Sequence, residues 1–76
     1  MVAQKIHAAR RIFAHNVRRL RLARKWSQED LAAAARLHQV QVSKIEVADN
    51  NTTIDTMQKI ANALGVPIKD LFSETL

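Results

Sequence analysis

The sequence has no cysteine, one glycine, one proline and three aromatic residues. Without cysteine it has neither a disulfide framework nor a thiolate zinc site. So few turn residues and aromatics argue against an all-β domain, which needs turn residues and strand formers. No apolar run approaches the length of a membrane-spanning helix. At 76 residues the chain is one domain, and a domain this small buries only about 60% of its unfolded surface, so pairing with a second copy would help it. Acidic residues are also missing from one half. Residues 1–26 carry eight Arg or Lys and no Asp or Glu, whereas residues 27–76 carry four basic and seven acidic side chains.

That asymmetry points to a polyanion partner, either nucleic acid or an anionic membrane surface. An Arg-rich, acid-free N-terminus is also the composition of a transit peptide, but such peptides are Ser-rich, and no Ser precedes Ser27. The membrane reading conflicts with Phe13, Val17 and Leu20, which the core needs.

What is present is helical spacing. Helix 1 is expected over about Ala8 to Arg24. Ile6, Ala9, Phe13, Val17 and Leu20 form its apolar stripe, and Arg11, Arg18 and Lys25 a basic one, suited equally to phosphate or to water. Ser27-Gln-Glu-Asp30 reads as a capping box that opens helix 2, with Trp26 placed to staple back on the first turn. That helix runs to about Ala35. Helix 3 follows at once, from Gln39 to about Val47, so the two meet at a sharp angle. Thr53 caps helix 4, whose stripe is Met57, Ile60, Ala61 and Leu64. Gly65 ends it in a left-handed conformation, and Pro67 opens a last short helix from Ile68 to about Phe72.

Helix 3 carries the chemistry. Val42, Ile45 and Glu46 share one face, while Gln39, Val40, Ser43, Lys44 and Val47 share the other. The second face is wasted in a core and unremarkable on a surface, but it matches the edges of base pairs. Gln39 can bond adenine bidentately, Lys44 can donate to guanine O6 and N7, Val40 offers a methyl surface to thymine, and Ser43 donates or accepts.

Val17-Arg-Arg-Leu-Arg21, Trp26-Ser-Gln-Glu-Asp-Leu-Ala32, Val42-Ser-Lys-Ile-Glu46 and Ile60-Ala-Asn-Ala-Leu-Gly-Val66 stand in an order that resembles the lambdoid phage repressor domain. The chain is identified as similar to the Xre-type helix-turn-helix family, which includes restriction-modification controller proteins and antitoxins. The resemblance covers about residues 13–72 and leaves residues 1–12 as an extension, expected to prolong helix 1 ahead of a DNA-binding domain at 13–76. It implies an all-α, compact bundle of about five short helices, with helix 3 in the DNA major groove.

The resemblance also implies roles. Gln39, Val40, Ser43 and Lys44 are expected to contact bases. Gln28, at the start of helix 2, is expected to grip a phosphate, as are Asn50, Asn51 and Thr52 after the recognition helix. Arg18, Arg19 and Gln41 are further phosphate candidates. Arg21 and Glu46 are expected to form a partly buried ion pair joining helix 1 to helix 3. Ile68, Leu71 and Phe72 are candidates for a dimer patch, although Leu71 also suits the monomer core. The family has Gly where Arg36 and Ala48 stand, so the turn is either rebuilt or strained.

The expected function is sequence-specific transcriptional regulation by a homodimer on an inverted repeat of double-stranded DNA, in the cytoplasm of a prokaryotic cell and either host- or phage-encoded. The competing expectation is an antitoxin or adaptor whose main partner is a protein. His7, His15 and His38 are too far apart to imply a metal. No catalytic constellation and no cofactor motif is present, so an enzyme is not expected.

Overall fold

The computed structural model describes residues 2–49 and 51–74, with side chains from residue 8 onward. Among the described residues it is all-helical: α1 (Val2–Ala23), α2 (Gln28–Ala35), α3 (Gln39–Glu46), α4 (Ile54–Leu64) and a closing 3₁₀ segment (Ile68–Phe72). The last element is thus a 3₁₀ turn rather than an α-helix. Five residues between Pro67 and the C-terminal tail are too few for a stable α-helix on their own, and the tighter winding is common in such short pieces.

α1 begins at Val2, six residues before the Ala8 start expected from helical spacing, on the side where the extension was expected to prolong it. The reason is local. Nothing between Val2 and Ala8 is Ser, Thr, Asp, Asn, Gly or Pro, so no residue there caps or breaks a helix. The extension and the domain therefore share one 22-residue helix. Ile6 lies outside the described side chains, and Ala9 is exposed, so the apolar stripe of α1 is anchored from Phe13 onward.

The core is built from Phe13 and Val17 of α1, Leu31, Ala32 and Ala35 of α2, Val42 and Ile45 of α3, Ile60, Ala61 and Leu64 of α4, and Leu71. α1 packs on α3 and on the 3₁₀ segment, while α2 packs on α3 and α4. Trp26 and Leu20 cover the edge of this core. At the start of α2, Ser27 Oγ accepts from the Asp30 amide at 3.0 Å and Asp30 Oδ2 accepts from the Ser27 amide at 2.8 Å, closing the capping box. Thr53 Oγ1 accepts from the Thr56 amide at 3.1 Å in the same way at the start of α4.

All four α-helices end alike. After each, one residue turns left-handed: Lys25 (φ 57°), Arg36 (φ 57°), Ala48 (φ 60°) and Gly65 (φ 70°). The next amide then reaches back five residues, from Trp26 to Arg21, Leu37 to Ala32, Asp49 to Lys44 and Val66 to Ala61, at 2.8–3.2 Å. This is the Schellman closure, which normally uses glycine. Here three of the four carry a side chain. The turns at Arg36 and Ala48 are therefore strained rather than rebuilt.

Candidate nucleic-acid interface

α2, the turn at Arg36 and α3 form the helix-turn-helix. Val42 and Ile45 are buried under α1 and α2, which fixes the rotation of α3 about its axis. The opposite face is thereby turned to solvent. Gln39, Val40 and Lys44 are exposed, Val40 to 63%, and Ser43 is half-buried between them and the core. Val47, one turn on, is 69% exposed and extends this face. An exposed β-branched surface beside an amide and an ammonium is the mixture a major groove can match.

An ion pair holds α3 in that orientation from behind. Arg21 Nε donates to Glu46 Oε2 at 2.6 Å and Nη2 to Glu46 Oε1 at 2.8 Å, a bidentate side-on contact. Arg21 Nη1 donates to the Trp26 carbonyl at 2.8 Å, so the guanidinium ties α1, the α1–α2 turn and α3 together. The hydrogen bond to Glu46 raises the Arg21 pKa further, against the opposing effect of burial.

Gln28 stands at the first position of α2, and its Nε2 donates to Glu46 Oε1 at 3.2 Å. That contact uses one of the two amide hydrogens. The second hydrogen remains for a phosphate at this helix N-terminus. Gln41 is more committed: its Oε1 accepts from the His38 amide at 3.0 Å and so caps α3, where the His38 side chain makes no cap hydrogen bond. Only its Nε2 is left for DNA.

The basic residues of α1 and of the turn after it separate. Arg18 is exposed. Arg19 is also exposed, with Nη2 donating to Asn16 Oδ1 at 3.3 Å, and Asn16 in turn holds the 3₁₀ segment. Arg24 is structural: its Nη1 donates to the Leu20 carbonyl at 2.9 Å and its Nη2 to the Leu64 carbonyl at the end of α4. Part of the N-terminal positive charge thus holds the fold instead of facing a partner. Asn51 is exposed and Thr52 half-buried in the loop after α3, while Asn50 lies outside the described residues.

Leu71 is fully buried in the single chain. It completes the core between α1 and α4 and has no surface left for a second copy, so it leaves the dimer patch. Ile68 is half-buried and Phe72 is 38% exposed, stacked on Phe13 with ring centroids 5.5 Å apart.

Asn16 is the residue that sequence reasoning missed. It is 1% exposed, and its Nδ2 donates to the carbonyls of Leu71 at 3.0 Å and Ser73 at 2.9 Å. A polar amide between Phe13 and Val17, on the apolar side of the helix, was the available signal.

Comparison with known proteins agrees with this geometry. A helix-turn-helix family model matches residues 17–71. The control protein C.BamHI of Bacillus amyloliquefaciens is 42% identical over 67 residues, covering 87% of this chain and 83% of that protein. The crystal structure of the restriction-modification controller protein C.AhdI from Aeromonas hydrophila superposes with a TM-score of 0.82 at 32% identity, covering 86% of this chain and 98% of that one. That of a hypothetical transcription factor from Neisseria gives 0.83 at 35% identity, covering 86% and 75%. No helix among the described residues is long and apolar enough to cross a membrane. With its four helices, its exposed α3 face and these relatives, the chain belongs to the Xre-like helix-turn-helix family of DNA-binding transcription regulators.

Proposed function

We propose that this chain is a sequence-specific regulator that binds an inverted repeat as a homodimer, and that it serves as the controller of a restriction-modification system in a prokaryotic cytoplasm. The observation that carries the reading is the outward face of α3. Gln39, Val40, Ser43 and Lys44 lie together on it, and the Arg21–Glu46 pair fixes their presentation. The controller role rests on likeness to C.BamHI and C.AhdI.

One recognition helix reads only a few base pairs, so a second copy is needed for a useful site. Two-fold pairing then sets the half-sites about one helical turn, roughly 34–36 Å, apart. Ile68 and Phe72 are the proposed contact between protomers. Gln28, Asn51 and Thr52 are the proposed backbone grips, with Arg18 and the Nε2 of Gln41 beside them. Arg19, turned toward Asn16, fits that duplex least well.

A selection from random duplexes tests this reading, combined with sedimentation of the bound species. The expected product is a two-fold motif occupied by two protomers. A pool that shows no enrichment sinks the reading and moves the protein-adaptor alternative ahead.

A further inference from the structure

Arg10 differs from the other described cations of α1 and of the turn after it. Arg21 and Arg24 hold the fold, Arg19 leans on Asn16, and Arg11 and Arg18 are exposed. Arg10 is half-buried and lines a cavity of about 210 Å³ whose floor includes Phe13, Ile45 and Phe72 and whose rim includes Asn51 and Thr52. Among the described residues the one ion pair is Arg21–Glu46, so Arg10 has no carboxylate partner there. The exposed Asp49 on the same loop does not bridge to it.

A half-buried guanidinium with a long apolar stem is stable where the stem covers apolar surface and the head finds an anion. The cavity supplies the apolar floor. No carboxylate among the described residues supplies the anion. The rim residues Asn51 and Thr52 belong to the segment that leaves the reading helix, so an anion there would touch Arg10 and this segment together.

We propose that Arg10 and the Asn51–Thr52 segment jointly grip one backbone phosphate of the duplex that α3 reads. The inference rests on the DNA-binding reading above. It gives the N-terminal extension a role, since Arg10 lies outside the matched residues 17–71. The planar guanidinium fork suits two phosphate oxygens, which an ammonium does not reproduce.

The test measures binding to random and to selected duplexes across a salt series. It compares wild type with Arg10→Gln, Arg10→Lys, Gln28→Ala and Lys59→Gln, the last an exposed cation on α4. Arg10→Gln is expected to weaken both duplexes by the same factor and to flatten the slope of log K against log salt by about 0.9 per protomer. The selected motif and the melting temperature should stay as in wild type. Arg10→Lys should keep the slope and lose part of the affinity. Lys59→Gln should keep both.

If Arg10→Gln retains the wild-type slope while Gln28→Ala weakens binding, the inference fails and the DNA-binding reading stands. Equal losses for Arg10→Gln and Lys59→Gln would reduce the effect to net charge and also overturn it. If wild type shows no salt-dependent binding to any duplex, the functional reading fails and takes the inference with it.

Discussion

Arg21 and Glu46 meet side-on, with both carboxylate oxygens taken by the same guanidinium. The Glu46 side chain is 2% exposed and that of Arg21 is 10% exposed. Glu46 Oε1 also accepts from Gln28, so one carboxylate links α1, α2 and α3. The carboxylate that braces the recognition helix also touches the residue proposed to hold a phosphate.

Removing either partner leaves the other charge buried. Arg21→Ala and Glu46→Ala should each cost about 3–5 kcal/mol. The double mutant should lose clearly less than the sum, because the two act as a unit. Thermal and denaturant melts of the four proteins make the cycle. Additive losses would show that the pair contributes nothing as a pair. The pH dependence follows from the raised Arg21 pKa. A group raised on folding keeps its contribution at all pH below its unfolded value, so Arg21 adds no slope below the alkaline arginine range.

A second prediction concerns Asn16 and the 3₁₀ segment. Asn16→Leu keeps a similar volume but takes the side-chain donor away from the carbonyls of Leu71 and Ser73. Leaving buried acceptors short of a donor costs about 1–3 kcal/mol. Hydrogen exchange of residues 68–73 should accelerate more than that of α2 and α3. Uniform acceleration throughout the chain would mean that Asn16 has no special hold on this segment.

The left-handed turns give a third. A side chain in this conformation costs roughly 1–2 kcal/mol, partly offset by the greater freedom glycine has when unfolded. Lys25→Gly, Arg36→Gly and Ala48→Gly should each raise the melting temperature, and their effects should add because the turns are separate. Gly65→Ala should lower it, although a Cβ there meets nothing within 4 Å. A lower melting temperature for Arg36→Gly would reveal contacts that compensate the strain.

The parts legible in the sequence are those set by neighbours along the chain. Ser27 with Asp30, Thr53, Gly65 and Pro67 announce their caps and stops through local hydrogen bonds or a fixed φ, and the structure has each where it was expected. The exact start of α1 was not marked, because no capping residue stands near Val2; only the expected prolongation of helix 1 through the extension pointed to it. Asn16 and Arg24 take their meaning from carbonyls far along the chain, at Leu71 and Leu64, and nothing nearby encodes that. Lys25 carries no sign of its left-handed backbone, since lysine has no preference for it. Arg36 and Ala48 stood out only against a family that uses glycine there.

The last prediction separates reading from gripping. Gln39 and Lys44 are exposed on the outer face of α3, whereas Gln28 sits behind it at the start of α2 with its amide on Glu46. Gln39→Ala and Lys44→Ala should each cost about 1–3 kcal/mol on the selected site and relax the choice at one position per half-site. Gln28→Ala should weaken selected and random duplexes alike, because a phosphate is the same at every step. Melting temperatures should be recorded beside the affinities, since Gln28→Ala also takes a donor from Glu46. Both kinds of binding should fall steeply with salt as the duplex regains its counterions. The measurement is a repeat of the duplex selection with all three variants. Recovery of the wild-type motif by the Gln39 and Lys44 variants would remove α3 as the reading surface, however exposed its polar face is.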